Sequence, residues 1–163
     1  VSDGPLLGVA VRGAAAVGAQ PLAQLEAAWS IDWSALSLQP RLAYGWQTTS
    51  NEHLVLRHEE LTLSLAGARA FDLRWLTVAP TLVVGYSYAH QSFATTGAAP
   101  DRHGHLFVVG AEATLAVDLW RGLHLQLRGG GLTSLFRAGP SGAPGLATAF
   151  TWTAAAGLGW HLR

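Results

Sequence analysis

Three groups of residues in this chain have types and spacings suited to chemistry. His90-Gln91-Ser92 sets an imidazole two residues from a hydroxyl, the partners that a serine nucleophile and its general base require. Asp101 and Glu112 are the nearest downstream carboxylates able to orient that ring. Arg12, Glu26, Arg41, Glu60, Glu112 and Arg128 form a second group, and carboxylates paired in an accessible pocket would suit general acid and base work. The third is His103-Gly104-His105 with Asp101, donors for a loosely held divalent metal. The triple glycine Gly129 to Gly131 lacks the Lys and the Ser or Thr that follow a phosphate-binding loop, so a kink or bulge is expected there.

What positions these residues is an alternation of period two. From Leu25, odd positions read Leu25, Ala27, Trp29, Ile31, Trp33, and even ones Gln24, Glu26, Ala28, Ser30, Asp32. That is one apolar and one polar face of an extended strand. Eight such segments are expected: Leu6 to Val17, Ala23 to Trp33, Leu36 to Gln47, Leu54 to Ala66, Leu73 to Gln91, His105 to Leu119, Leu123 to Phe136, and Ala147 to Leu162. Most exceed an ordinary strand and meet the roughly 9 to 11 residues that a tilted membrane-crossing strand needs. Ala138 to Trp160 is uncharged, but its Gly/Pro-rich start and alternating Thr148, Thr151 and Thr153 read as loop and strand rather than a membrane helix. Pro40 is awkward inside a sheet, because it removes a ladder donor.

Connections and aromatics give the segments an orientation. Ser34-Ala35, Gly67 to Asp72 and Trp120 to Gly122 are compact, whereas Thr48 to His53, Ser92 to Gly104 and Arg137 to Leu146 are polar or Gly/Pro-rich. The first connection, Gly18 to Leu22, is short for its side. Short turns on one rim and longer loops on the other are how membrane barrels are built, with an aromatic girdle at each interface. Tyr44, Trp46, Tyr86, Tyr88, Phe107, Phe136, Phe150 and Trp152 fall on the long-loop side, and Trp33, Trp75, Trp120 and Trp160 on the short-turn side.

An apolar face turned to lipid sends the polar face inward, where buried charges must be matched. Parity assigns all six residues of the second group to the interior near mid-strand. Neighbouring strands would pair Arg12 with Glu26, Glu26 with Arg41, Arg41 with Glu60, and Glu112 with Arg128. An eight-stranded barrel is narrow enough for side chains to fill, so an ionic plug is expected rather than a catalytic pocket. Gly8, Ala10, Ala14, Ala43, Gly45, Gly110, Gly130, Ala155, Gly157 and Gly159 leave room for the long charged chains.

Composition narrows the class further. The 163 residues make one domain, half of them hydrophobic and 12% charged, whereas soluble surfaces carry roughly a quarter to a third of charged positions. Ten basic residues balance ten acidic ones with no basic run, which excludes a nucleic-acid partner. Cysteine is absent, so disulfide and thiolate chemistry are excluded. Val1 to Pro5 shows no basic or apolar leader, so the expectation is the mature form of an exported chain.

With these features the chain resembles, over its full length, the small eight-stranded outer-membrane β-barrel superfamily. The resemblance lies in periodicity, girdles, loop asymmetry and inward charges, and implies an all-β, antiparallel up-and-down transmembrane barrel over residues 1–163. Such barrels commonly end on an aromatic, whereas this chain ends Trp160-His161-Leu162-Arg163. His90 and Ser92 also resemble the His-x-Ser pair of lipid A deacylases, although Phe93-Ala94-Thr95 replaces the context usual after the serine. The fold does not choose between these roles. The expected function is a non-enzymatic anchor or accessory subunit of the bacterial outer membrane, without cofactor or metal. Its expected partners are outer-membrane lipid, lipopolysaccharide and other envelope proteins. The deacylase-like enzyme is the alternative. A soluble lipocalin-like carrier is a third, opposed by the inward Arg and Glu.

Overall fold

The computed structural model describes residues 4–14, 20–34, 36–50, 52–95, 100–138 and 145–161. It contains nine strand segments: β1 (Gly4–Ala14), β2 (Leu22–Trp33), β3 (Leu36–Ser50), β4 (Leu54–Arg69), β5 (Phe71–Leu73), β6 (Leu76–Thr95), β7 (Arg102–Trp120), β8 (Leu123–Ala138) and β9 (Gly145–Trp160). Every neighbour is antiparallel. β4 and β5 are one wall, since Ala68↔Thr81 and Phe71↔Val78 share a single register against β6. The result is a ring of eight walls, closed where β1 pairs with β9.

The alternation explains which face turns where. Outward Leu7, Leu63 and Leu82 are 68%, 62% and 71% exposed, while inward Arg41, Glu60 and Gln126 are 4%, 5% and 5% exposed. In water this arrangement would be inside out. Small side chains fill the rest of the lumen wall, with one apolar cluster of Ala66, Val83, Val108 and Leu132.

Two prolines interrupt the ladder. Pro40 points outward, and the β2–β3 pairing skips from Ala28↔Arg41 to Ile31↔Leu38 across it. Pro80 also points outward, opposite Arg69 and next to the break at Ala70 that separates β4 from β5. Each ring nitrogen lacks the N–H that its rung requires.

Several boundaries differ from the sequence reading. Apart from the break at Ala70, Gly67 to Asp72 is strand, not turn: the hairpin turns at Arg74–Trp75, so Leu73 belongs to the wall before it. Ala68 and Ala70 there face the lumen as small side chains, while Gly67 faces outward with open space around it. The short turns instead place Ser34, Arg74 and Arg121 at φ 56°, 52° and 45°, the left-handed conformation that suits tight hairpins. The long-loop ends of β3, β6 and β7 extend past expectation, reaching Ser50, Thr95 and back to Arg102. Gly129 to Gly131 forms no bulge; the β7–β8 register is continuous there and shifts only between Asp118 and Trp120. Gly130 lies against the β7 backbone, and a Cβ on Gly131 would sit 2.7 Å from the Phe150 ring that covers it. Residues 1–3, 15–19, 35, 51, 96–99, 139–144 and 162–163, with the parts of the Val1 to Pro5 segment, the expected connections and the final Arg163 that fall on them, lie outside the described residues.

Candidate functional site

The six charged residues converge in the lumen, but with partners other than the expected strand neighbours. Arg12 of β1 meets Glu60 of β4. Arg41 of β3 donates to Glu112 of β7 at 2.7 Å and to Gln39 Oε1 at 3.1 Å. Arg128 of β8 donates to Glu26 of β2 at 2.5 Å and lies 3.7 Å from Glu112. Each short contact crosses the lumen. Of the neighbour pairs, Glu112 with Arg128 is present as that longer contact; Arg12–Glu26, Glu26–Arg41 and Arg41–Glu60 are not made among the described residues.

Strand stagger is the reason for two of the three absences; Glu26 and Arg41 are only two residues out of step, and each is taken instead by a closer partner across the lumen, Arg128 and Glu112. Glu26 lies opposite Gly8 and Ala43, and Arg12 opposite Leu22 and Thr153, so Arg12 and Glu26 are four residues out of step. At about 3.3 Å per residue that is roughly 13 Å along the strand, beyond direct contact. Arg41 lies opposite Ser64, and Glu60 opposite Gly45, with the same offset. Glu112 and Arg128 are only two out of step, because Glu112 faces Gly130. The narrow lumen makes a chord across it shorter than a path along its wall.

Polar neighbours complete the network. Thr62 Oγ1 donates to Glu60 at 3.1 Å and lies 2.7 Å from Ser87 Oγ, while His58 Nε2 is 3.6 Å from Glu60. Gln39, His58, Thr62 and Ser87 were not singled out from sequence, although their inward parity was the signal. On either side of the ion pairs the lumen opens. A chamber of about 470 Å³ toward the long loops is lined by Arg12, Gln20, Gln47, His58, Glu60 and Thr151 among others. Another of about 420 Å³ lies toward the short turns.

Outside, Trp33, Trp75, Trp120 and Trp160 are exposed at or beside the short turns, and Tyr44, Trp46, Tyr86, Tyr88, Phe107, Phe150 and Trp152 are exposed toward the long loops, with Tyr86 and Trp152 near mid-strand because the strands run on past them. Phe136 is the exception: it shares inward parity with Ser134 and Leu132 and is half-buried at the lumen mouth. Trp29 and Phe71 are exposed on the outer wall and were not assigned to a belt from sequence. Trp29 carried the outward parity of its segment, and Phe71 was hidden in the misplaced turn.

His103-Gly104-His105 belongs to β7 rather than to a solvated loop. Outward on the long-loop side, His105 Nδ1 bonds Tyr86 Oη, and His103 Nδ1 lies 2.6 Å from Tyr88 Oη. The rungs His90↔His103 and Tyr88↔His105 hold these side chains in adjacent rows. His90 stacks on His103 with ring centroids 4.8 Å apart, and its nitrogens lie 3.8 Å from Glu59 and 3.6 Å from Asp101. Asp101 therefore stands beside His90, whereas Glu112 is in the lumen. Ser92 shares the outward parity of His90 and is half-buried; no hydrogen bond joins the two among the described residues. Among those residues no three His, Cys, Asp or Glu are placed to hold a metal ion.

A closed ring with a charged interior, a continuous apolar exterior and aromatic rims defines a transmembrane β-barrel. The sequence matches no protein-family model and no curated protein. Solved structures match over almost the whole chain. A major outer membrane protein of Thermus thermophilus is 11% identical, with 98% of this chain and 99% of that one covered and a TM-score of 0.65. Neisserial surface protein A is 10% identical, with 99% and 96% covered and a TM-score of 0.62. The attachment invasion locus protein Ail of Yersinia pestis is 10% identical, with 98% of each chain covered and a TM-score of 0.60. The architecture is thus that of the small outer-membrane β-barrels.

Proposed function

We propose that this protein is a non-enzymatic barrel of the bacterial outer membrane, acting as an anchor or accessory subunit whose lumen does not conduct. The observation that carries this reading is the set of cross-lumen ion pairs, Arg12–Glu60, Arg41–Glu112 and Arg128–Glu26, between the two chambers. Buried pairs of this kind resist separation, since parting them strands charges in a low dielectric. The outer wall offers only apolar and aromatic contact at membrane depth, which suits lipid, lipopolysaccharide at the rim, and other envelope proteins side by side. Purified protein in a planar bilayer should give no sustained ohmic conductance; a steady open channel would overturn the plug.

A second reading keeps the exterior histidine. His90 lies beside two carboxylates on the face turned to lipid, the surroundings of a base acting on a membrane substrate. A lipid A hydrolase would then use Ser92 as nucleophile. Mass spectrometry of lipid A from expressing cells separates the two: loss of an acyl chain, abolished by Ser92→Ala, supports the enzyme, and unchanged lipid A supports the anchor.

A further inference from the structure

We propose that the short-turn chamber of the lumen binds a small protonated aliphatic amine. Its size, about 420 Å³, is in the range that holds small molecules. The carboxylates of Asp32, Asp72 and Asp118 line it from β2, β5 and β7, and among the described residues no Arg or Lys does. The arginines around it are turned elsewhere. The guanidinium of Arg69 lies 5.4 Å from the Phe71 ring and that of Arg121 4.5 Å from the Trp120 ring, both on outer aromatics. Arg41, above the chamber, is engaged by Glu112 and Gln39. The mouth of the chamber thus carries three carboxylates, of which Asp72 and Asp118 are exposed to solvent, and its only basic groups among the described residues are His124 and His161, the latter 3.8 Å from Asp118.

A second observation comes from β8. His124 and Gln126 line the chamber and are only 8% and 5% exposed. Yet His124 Nδ1 and Gln126 Oε1 have no hydrogen-bond partner among the described residues. An amide oxygen only accepts, so Oε1 calls for a donor, and leaving it unmatched is costly. His124 is fixed by stacking on His161 at 4.3 Å between centroids. Asp72 is oriented by Thr77 Oγ1 at 2.7 Å.

An ammonium group meets both requirements, since it is a compact cation with three donors and no acceptor. One N–H can serve Gln126 Oε1 while others reach carboxylate or the hydroxyls of Thr81 and Thr114 at the inner end. A directly ligated metal fits less well, because no three ligating groups converge among the described residues. An anion would meet three carboxylates. The site is independent of the anchor role and equally compatible with a conducting barrel.

The test uses the full chain folded in detergent micelles, with the Gln126 side-chain amide and the backbone amides of residues 124–126 followed by NMR. Titration with 1,4-diaminobutane should give saturable shifts that sodium chloride of equal ionic strength and 1,4-butanediol do not reproduce. Gln126→Leu should weaken binding about tenfold, the worth of one charge-assisted hydrogen bond, and Asp118→Asn, at a solvent-screened carboxylate, about two- to fivefold. Asp118 is 88% exposed at its side chain, so its substitution leaves a folded barrel even if Gln126→Leu does not. Shifts matched by the salt or the diol, or affinity unchanged in Asp118→Asn, would overturn the proposal. Nα-acetyl-lysine amide run in parallel distinguishes the source: tighter binding than the diamine assigns the site to a protein's lysine side chain, and weaker binding to a free amine.

Discussion

The lumen and the outer wall are built by the same strands and the same alternation, yet they constrain their residues differently. Outside, one apolar side chain serves nearly as well as another, because lipid adapts to whatever shape it meets. Inside, each charge depends on a particular partner from a wall two or more strands away. A change from one apolar side chain to another in lipid can be minor, whereas the loss of one charge in the lumen can be severe. The difference is between a solvent and a set of named contacts.

The largest expected effect tests the lumen side. Arg128→Ala leaves Glu26 without its close partner and removes the longer contact to Glu112, and should destabilise the barrel by about 3 to 5 kcal/mol in urea titration from detergent. Adding Glu26→Ala should cost less than the sum of the single losses. Additive losses would mean that the pair carries no coupling and would erase the contrast with the outer wall.

On the outer wall, Leu82→Arg should cost about 2 to 4 kcal/mol in the same assay in a bilayer, because a cation near mid-depth faces hydrocarbon. Leu82→Val should cost under about 1 kcal/mol. A large loss in the valine variant would show that this surface needs a specific contact, such as a protein neighbour. The smallest effect is expected at the outer rim, where Tyr88→Phe deletes the bond to His103 beside solvent and should cost about 0.5 to 1.5 kcal/mol. A larger effect would mark the Tyr/His rows as part of the stability core.

Sequence reading recovered most of the barrel because period two is a strict rule: a residue's parity determines its face. It failed where parity is silent. Turn position was misjudged at Gly67 to Asp72, since small residues serve both bends and crowded lumens, and only pairing with β6 distinguishes them. Partner choice inside the lumen depends on stagger, which four-residue offsets such as Arg12 against Glu26 reveal only once register is known. Phe136 was put in a belt by its place near a strand end, although its even number set it with Ser134. His103 fell in the expected connection Ser92 to Gly104, just before the strand expected from His105; in the fold β7 begins at Arg102, and the bond of His103 to Tyr88 belongs to its first rungs. The unmatched polar atoms of His124 and Gln126 had no signature in sequence, being a property of surroundings.

The two outward prolines have a consequence for motion. Their missing rungs lie on both sides of the β3–β4 hairpin, whose own ladder runs unbroken from Leu36↔Arg69 to Ser50↔Val55. Each gap is local, since pairing resumes below it at Ile31↔Leu38 to Trp33↔Leu36 and at Phe71↔Val78 to Leu73↔Leu76. The hairpin is thus held at both ends with one soft point in each seam, and amide hydrogen exchange at Trp29 to Ser30 and Arg69 to Ala70 runs ahead of exchange at the hairpin's centre.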